Sequence, residues 1–579
     1  MNFAVPRRLL RVVPALAVAA LLLSGSAGAQ ETNAQRTDPE AQRRAASQAA
    51  LAAQHWEEAA RLAQGPAAQP AEFDYIAGLA LAKLGRWPEA RSAFQAGRAK
   101  APADARFPAE LAGVAYKQGD FALAKRELRA ALRLAPSDPY AREFLGTLYF
   151  LHGNLPAALK YWNPIGKPRL RAVVFRPEPK LDAALLQQAV PFNAPQVLTG
   201  DALRESDARL NLLGIFPAQR VELVPAGRDT FDAALHLAER NGFGDSWLAG
   251  LLSTLSGAGY DTIYPEFYNV RGEALNFASM ARWDAQKRRF GGEVSAPLWH
   301  DPTKRARIFF DARNENWNLA RTFFEPGSPV TDLNLRRFAG GLGFESLVNA
   351  NWSWSAGIEA ASREFRNLPA AVTPAAQRFF ASTPSLAVSL GIKRSLLRIP
   401  EFRFTLEGAA EARAGRYFAR SSGAFASARG SAKAAWFPAA RGDDFALRLQ
   451  LRAGATAAAA VLDDLFELGL ERDNDLWLRG HAGTADGRKG AAPLGRRFFL
   501  ANWEMDKNVY NNGFLDLKLG PFLDSGAIAD SSALFGSHGW QVDTGAQCKL
   551  RVLHSITLVL IYGRDLQGGR NLLFPVATH

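Results

Sequence analysis

Two short stretches of this chain carry residue types able to do specific chemistry at a set spacing. Leu478-Arg479-Gly480-His481 lies in a long polar run, and about 45 residues on comes Phe522-Leu523-Asp524-Ser525-Gly526. A guanidinium binds a carboxylate through a planar fork of N–H groups, which lysine cannot copy. Asp524 is the first candidate partner for Arg479 and Glu504 the second. In "FLDLKLGPFLDSG", Leu515, Leu517 and Leu519 share one face of an extended strand. Asp516, Lys518 and Asp524 share the other, provided no bulge intervenes. Glu504 lies opposite Ala501, Trp503 and Met505 by the same alternation. The plainer alternative leaves Arg479 as a solvated loop arginine.

No catalytic signature accompanies these residues. The chain has no His-Glu-x-x-His helix, no phosphate-binding P-loop and no Gly-x-Ser-x-Gly elbow. Its eight histidines are scattered. Cys548 is the only cysteine, which excludes intramolecular disulfides and cysteine metal clusters. The expectation is a protein that is not an enzyme and uses no cofactor and no metal.

The elements that would position such a pair differ along the chain. At 579 residues it is too long for one core, and 48% hydrophobic content excludes bulk disorder. The formal net charge of +13 suits anionic partners such as lipid headgroups or lipopolysaccharide. Nucleic acid is set aside because residues 1–29 read as a secretory signal peptide. Arg7, Arg8 and Arg11 precede the apolar run Val12 to Leu23, and Ala27-Gly28-Ala29 suits a cleavage site.

Residues 30–165 repeat at a spacing of 34: Gly85, Gly119 and Gly153, then Ala90, Ala124 and Ala158. "AGLALAKLGRWPEARSAFQAGRAKAP" closely resembles the tetratricopeptide repeat (TPR), an all-α array of stacked helix pairs whose groove binds peptides or accessory proteins. A spacer role is the alternative.

Residues 166–245 read as β-α-α-β-β. "RLRAVVF" and "AQRVELVP" are strands, "KLDAALLQQAV" is a helix, and Thr199 caps a second helix ending at Gly214. "TFDAALHLAERNG" alternates as a strand, with helix also open. "LTGDALRESDARLNLLGIFPAQRVELVP" resembles the POTRA domain, a periplasmic α/β module found before certain outer-membrane barrels. That resemblance implies capture of client proteins by strand addition to a sheet edge.

Residues 246–579 carry short alternating runs such as "WSWSAGIEAA", "SLAVSLGIK", "FALRLQLRAG" and "SITLVLIYG". One apolar and one polar face suits a transmembrane antiparallel β-barrel with a wet interior. A soluble sandwich shows the same alternation. At 9–11 residues per spanning strand, about 16 strands fit, with 12 or 14 also open.

"LFELGLERDNDLWLRGHAGTADGRKGAAPLG" resembles the lid loop of the BamA and TamA superfamily (the bacterial surface antigen family), which includes two-partner secretion transporters. In that family a hydrophobic-Arg-Gly-aromatic tip folds into the barrel, and His481 stands here where an aromatic is usual. Phe522 to Gly526 matches the family's Phe-x-Asp-x-Gly strand segment. "FFLANWEMD" resembles the strand after the lid, and "EFYNVRGEALNFASMARWD" the first barrel strands. The resemblance covers residues 165–579. It departs at the end "NLLFPVATH", where Phe574 stands five residues from the terminus instead of a terminal aromatic. It implies an outer-membrane protein with periplasmic N-terminal domains, in which TPR and POTRA-like modules deliver client proteins to a lid-gated barrel. A TPR-containing exopolysaccharide export porin is the alternative. A wide lumen with no inserted loop would favour it.

Overall fold

The computed structural model describes residues 39–579 except 67, 228, 241, 243–249, 252–253, 255–256, 258–259, 325–329, 371, 419–422, 440–443, 513–514, 538, 553–555 and 579. The expected signal peptide lies outside the described residues. The chain forms two compact units, one ending at Gln118 and one beginning at Gly119.

The first unit is helical. Ala71–Lys83 and Trp87–Lys100 pack as a pair, followed by Arg106–Lys117. Gly85 adopts a left-handed conformation (φ 77°) that stops the first helix and turns the chain into the second. Close packing explains the small residues: a Cβ on Gly78 would lie 2.5 Å from the Phe94 ring. Ala90 is fully buried between helices, alongside Phe94 and Phe107.

The second unit opens with the helices Phe121–Leu134, Pro139–Leu151 and Leu155–Trp162. Asp120 and Asn154 cap the first and third by accepting from Leu123 N and Ala157 N. The 34-residue spacing reappears as burial, with Ala124 and Ala158 fully enclosed.

A three-stranded sheet follows, built from β1 (Arg169–Arg176), β2 (Ala218–Pro225) and β3 (Thr230–Ala238) in the order β1-β3-β2. β3 pairs parallel with β1 and antiparallel with β2. Helices Ala183–Ala189 and Gly200–Leu213 lie between β1 and β2 in sequence. Thr199 Oγ1 accepts from Ala202 N, and Gly214 (φ 72°) ends the helix. The segment that sequence left open between strand and helix is β3.

The remainder is one large antiparallel sheet. Its strands are β4 (Thr262–Ile263), β5 (Glu266–Val270), β6 (Leu275–Trp283), β7 (Lys287–Pro297), β8 (Lys304–Trp317), β9 (Leu333–Asn349), β10 (Trp352–Arg366), β11 (Pro384–Ile399), β12 (Phe404–Tyr417), β13 (Ala424–Trp436) and β14 (Phe445–Ala458). After the loop 459–496 come β15 (Arg497–Asn511), β16 (Leu515–Ala529), β17 (Gln541–Val552), β18 (Ile556–Asp565) and β19 (Asn571–Thr578). Neighbours in sequence are neighbours in the sheet, and β19 lies beside β4, so the strand order closes on itself. Among the described residues the ring contains 18 named segments, against an expectation of about 16. Two of these, Thr484–Ala485 and Arg488–Lys489, are two-residue pieces of the loop, and β4 and β5 are parts of one broken strand pairing with β6. Strand counting from alternation does not see such pieces.

The alternation sets the two faces. On β11, Leu386, Val388, Leu390 and Ile392 point outward and exposed, while Ser385 and Ala387 are buried. Short turns gather at one end of the strands and long loops at the other. At the long-loop end, Phe323, Phe379, Phe380, Leu462 and Phe535 form an apolar cluster. At the short-turn end, the turn Pro400–Arg403 meets the last helices of the repeat: Glu401 Oε1 accepts from Lys160 Nζ (2.5 Å) and Tyr161 OH (2.8 Å), and Asn154 Nδ2 donates to Pro400 O (2.8 Å). The small sheet's module meets the same end, where Asn276 Nδ2 donates to Leu213 O and Asp182 N to Gly272 O. Among the described residues, no helix is long and apolar enough to cross a membrane.

Candidate functional site: the loop inside the ring

The loop 459–496 leaves β14 and folds back along the inner faces of strands around the ring. Its tip is a turn in which His481 N donates to Leu478 O (3.1 Å). Gly480 fits because a Cβ there would lie 2.7 Å from Asp543 Cγ and from Asp565 N. Leu478 is fully buried and packs with Leu468, Leu476, Phe498, Leu500 and Ile528. This apolar anchor turns the next side chain toward β15, β16 and β17.

Arg479 reaches Asp524 on β16 with both edges of its fork, Nε to Oδ2 at 2.8 Å and Nη2 to Oδ1 at 2.7 Å. Its backbone N–H also donates to Asp524 Oδ2 (3.0 Å), and Asn502 Nδ2 donates to Oδ1 (2.6 Å). Nη1 spans to Glu504 Oε2 (3.1 Å) and Gln547 Oε1 (3.0 Å). Phe522 lies under the guanidinium, its ring centroid 3.9 Å from Cζ. The Arg479 side chain is 5% exposed and that of Asp524 is not exposed at all. Glu504 is shared, since Lys549 Nζ also donates to it (2.8 Å). Gly526 sits where a Cβ would press within 2.8 Å of Phe499 O. The structure thus brings Leu478, Arg479, Gly480, Asp524, Glu504 and Phe522 into one locus, with Gly526 packing the strand beside it. His481 turns away from Arg479 toward Asp543 (Nδ1 to Oδ2, 3.1 Å) and Gln541 (Nε2 to Oε1, 3.0 Å).

Two further anchors were missed by the sequence reading. Asp473 accepts from Arg282 Nη1 on β6 (2.9 Å) and Arg289 Nη1 on β7 (2.6 Å), and is 4% exposed. Asp463 and Asp464 accept from Arg363 on β10, and Arg413 on β12 donates to Asp464 (2.9 Å). The loop pairs in both senses: its acids meet arginines on early and middle strands, Lys489 meets Glu315 on β8 (3.2 Å), and Arg479 meets acids on late strands. Gly563 was also missed. A Cβ there would meet Arg479 O at 1.9 Å, so the loop tip rests on bare backbone. An isolated glycine in the strand run "ITLVLIYGRD" was the available signal.

The arrangement can hold a loop across the inside of a ring by ion pairs that form and break without covalent chemistry.

No protein-family model and no curated protein matches the chain. Several solved structures are similar. BamA from Haemophilus ducreyi lacking POTRA domains 1–3 aligns over 71% of this chain and 84% of its own, at 12% identity and a TM-score of 0.40. CdiB from Escherichia coli aligns over 71% and 77%, at 13% identity and a TM-score of 0.45. CdiB from Acinetobacter baumannii aligns over 78% and 82%, at 14% identity and a TM-score of 0.41.

Proposed function

We propose that this chain is an outer-membrane protein assembly or translocation factor, in which periplasmic TPR and POTRA-like modules bring client proteins to a lid-gated barrel. The observation that carries the reading is the Arg479–Asp524 fork, buried inside the ring. A loop fastened across the interior by ion pairs fills part of the path and can be released without covalent change, which suits a gated route. The exposed apolar outer face of β11 suits lipid and lipopolysaccharide contact. Short turns facing the N-terminal modules suit a periplasmic end. β2 is an edge of the small sheet and pairs only with β3 among the described residues, which suits strand addition by a client. The inserted loop weighs against the exopolysaccharide export porin, whose traffic needs a wide lumen.

The test is photo-crosslinking in cells from positions along β2 and the loop tip. Protein adducts from both positions are expected, and proline at the outward edge of β2 should reduce them more than alanine does. Glycan adducts without protein adducts would move the reading to the export porin. The folded chain should also run faster on gels unheated than boiled, and recovery in the soluble periplasmic fraction would overturn the membrane reading.

A further inference from the structure

We propose that His481, Asp543 and Asp565 form a binding site for a divalent cation of the zinc class, fastening the loop tip to two adjacent strands. Asp543 on β17 and Asp565 on β18 are direct cross-strand partners. Both are buried, at 0% and 4% exposure. Like charges directly opposite each other repel, and buried charge is costly unless compensated. Arg479, on the same loop tip, spends its side-chain N–H groups on Asp524, Glu504 and Gln547.

A second observation points to a ligand. Asp543 Oδ2 accepts from Gly480 N (2.6 Å), but Oδ1 is enclosed and has no hydrogen-bond partner among the described residues, whereas both oxygens of Asp524 are satisfied. An enclosed carboxylate oxygen with nothing to accept is one that a cation would complete. His481 supplies the third side through one ring nitrogen, and both lie close: Nδ1 is 3.1 Å from Asp543 Oδ2 and Nε2 is 3.6 Å from Asp565 Oδ2. One ligand atom from each of the three residues lies within 4.8 Å of the others. Two tetrahedral ligands about 2.1 Å from one ion stand about 3.4 Å apart, so the widest of the three separations closes by up to about 1.4 Å when the ion enters. One imidazole nitrogen with two carboxylates suits zinc over magnesium, which prefers oxygen ligands and keeps its water. The scattered histidines gave no motif spacing, because the barrel register assembles the three ligands from a loop and two strands.

The site stands apart from any client, so binding is read on purified, untagged, full-length protein in detergent, stripped with chelator and carrying Cys548→Ser. Titration calorimetry with zinc chloride alone is expected to give one ion per chain. His481→Gln and Asp565→Asn should each weaken binding by at least about tenfold. Zinc should also slow proteolysis within 459–496 in the parent and not in the variants. Folding of each variant is checked by the unheated gel shift. Should Asp565→Asn fail that check, His481→Gln decides alone, since its ring lies on the loop and not in a strand. Absence of zinc binding by the parent, or equal affinity in parent and variants, would overturn the site and leave His481 as a hydrogen-bonding ring only.

Discussion

Arg479 and Asp524 meet through two parallel N–H···O bonds at 2.8 and 2.7 Å, closed off from solvent on both sides. Burial decides the magnitude. Removing one member of an enclosed pair strands the other, at roughly 3–5 kcal/mol, whereas an exposed pair is worth about 1 kcal/mol or less. Arg479→Ala is expected to release the loop and impair function while the ring still forms. Asp524→Ala should match it, and the double variant should be little worse than either single one. Arg479→Lys should fall close to alanine, because an ammonium cannot make the fork. Loop release is measured by protease cleavage within 459–496, and ring integrity by the unheated gel shift. A lysine variant with parent-like protection would refute the fork as the holding element.

Asp473 anchors the same loop to strands far from Asp524 in sequence. It shares no partner with Arg479: its ion pairs go to Arg282, Arg289 and, within the loop, Lys489. Separate anchors should behave additively. Asp473→Asn combined with Arg479→Ala is therefore expected to give the sum of the two single effects on loop protection, unlike the Arg479–Asp524 pair. A strongly non-additive result would show that the loop is held as one indivisible unit.

Gly563 tests the tip from beneath. A methyl group there would meet Arg479 O at 1.9 Å, and the obstacle is backbone that no side-chain rotation clears. Gly563→Ala should lift the tip and raise cleavage of the loop without touching any charge. Combined with Arg479→Ala it should add little. If Gly563→Ala leaves loop cleavage at the parent level, the tip does not need this contact.

What was legible in the sequence followed from local periodicity. β16 alternates without a bulge, and the structure buries Asp516, Phe522, Asp524, Gly526 and Ile528 on one side while Leu519 and Leu523 face out. The helix Gly200–Leu213 was readable because a threonine cap and a left-handed glycine mark its two ends. The partners of Asp473 and of Asp463 were not readable. They sit on strands about 100 to 190 residues earlier, brought near only by closure of the ring. Asp565 ends a strand read only for its apolar face, and Asp543 lies on Gln541–Val552, where no alternating run stood out, so the parity that placed Asp524 inward was not applied to either. The turn of His481 away from Arg479 depends on where those two acids stand.

Asp207 gives the chain a pH-dependent element outside the ring. It lies on the helix Gly200–Leu213, where burial pushes its carboxyl up to about 6, against the opposing pull of Arg398. The unfolded value is about 3.9, so the folded state holds the proton to higher pH. The sign follows from proton linkage. With respect to this group the helix is most stable below about pH 4, and stability is lost as pH rises through about 6. The loss is at most about 3 kcal/mol, the free energy of a shift of about two pKa units. Asparagine keeps the shape and cannot ionise. Asp207→Asn should therefore match the parent at pH 4 and protect the amides of this helix from hydrogen exchange roughly tenfold or more at pH 7.5. Equal protection of parent and variant at both pH values would show that ionised Asp207 is fully compensated by Arg398.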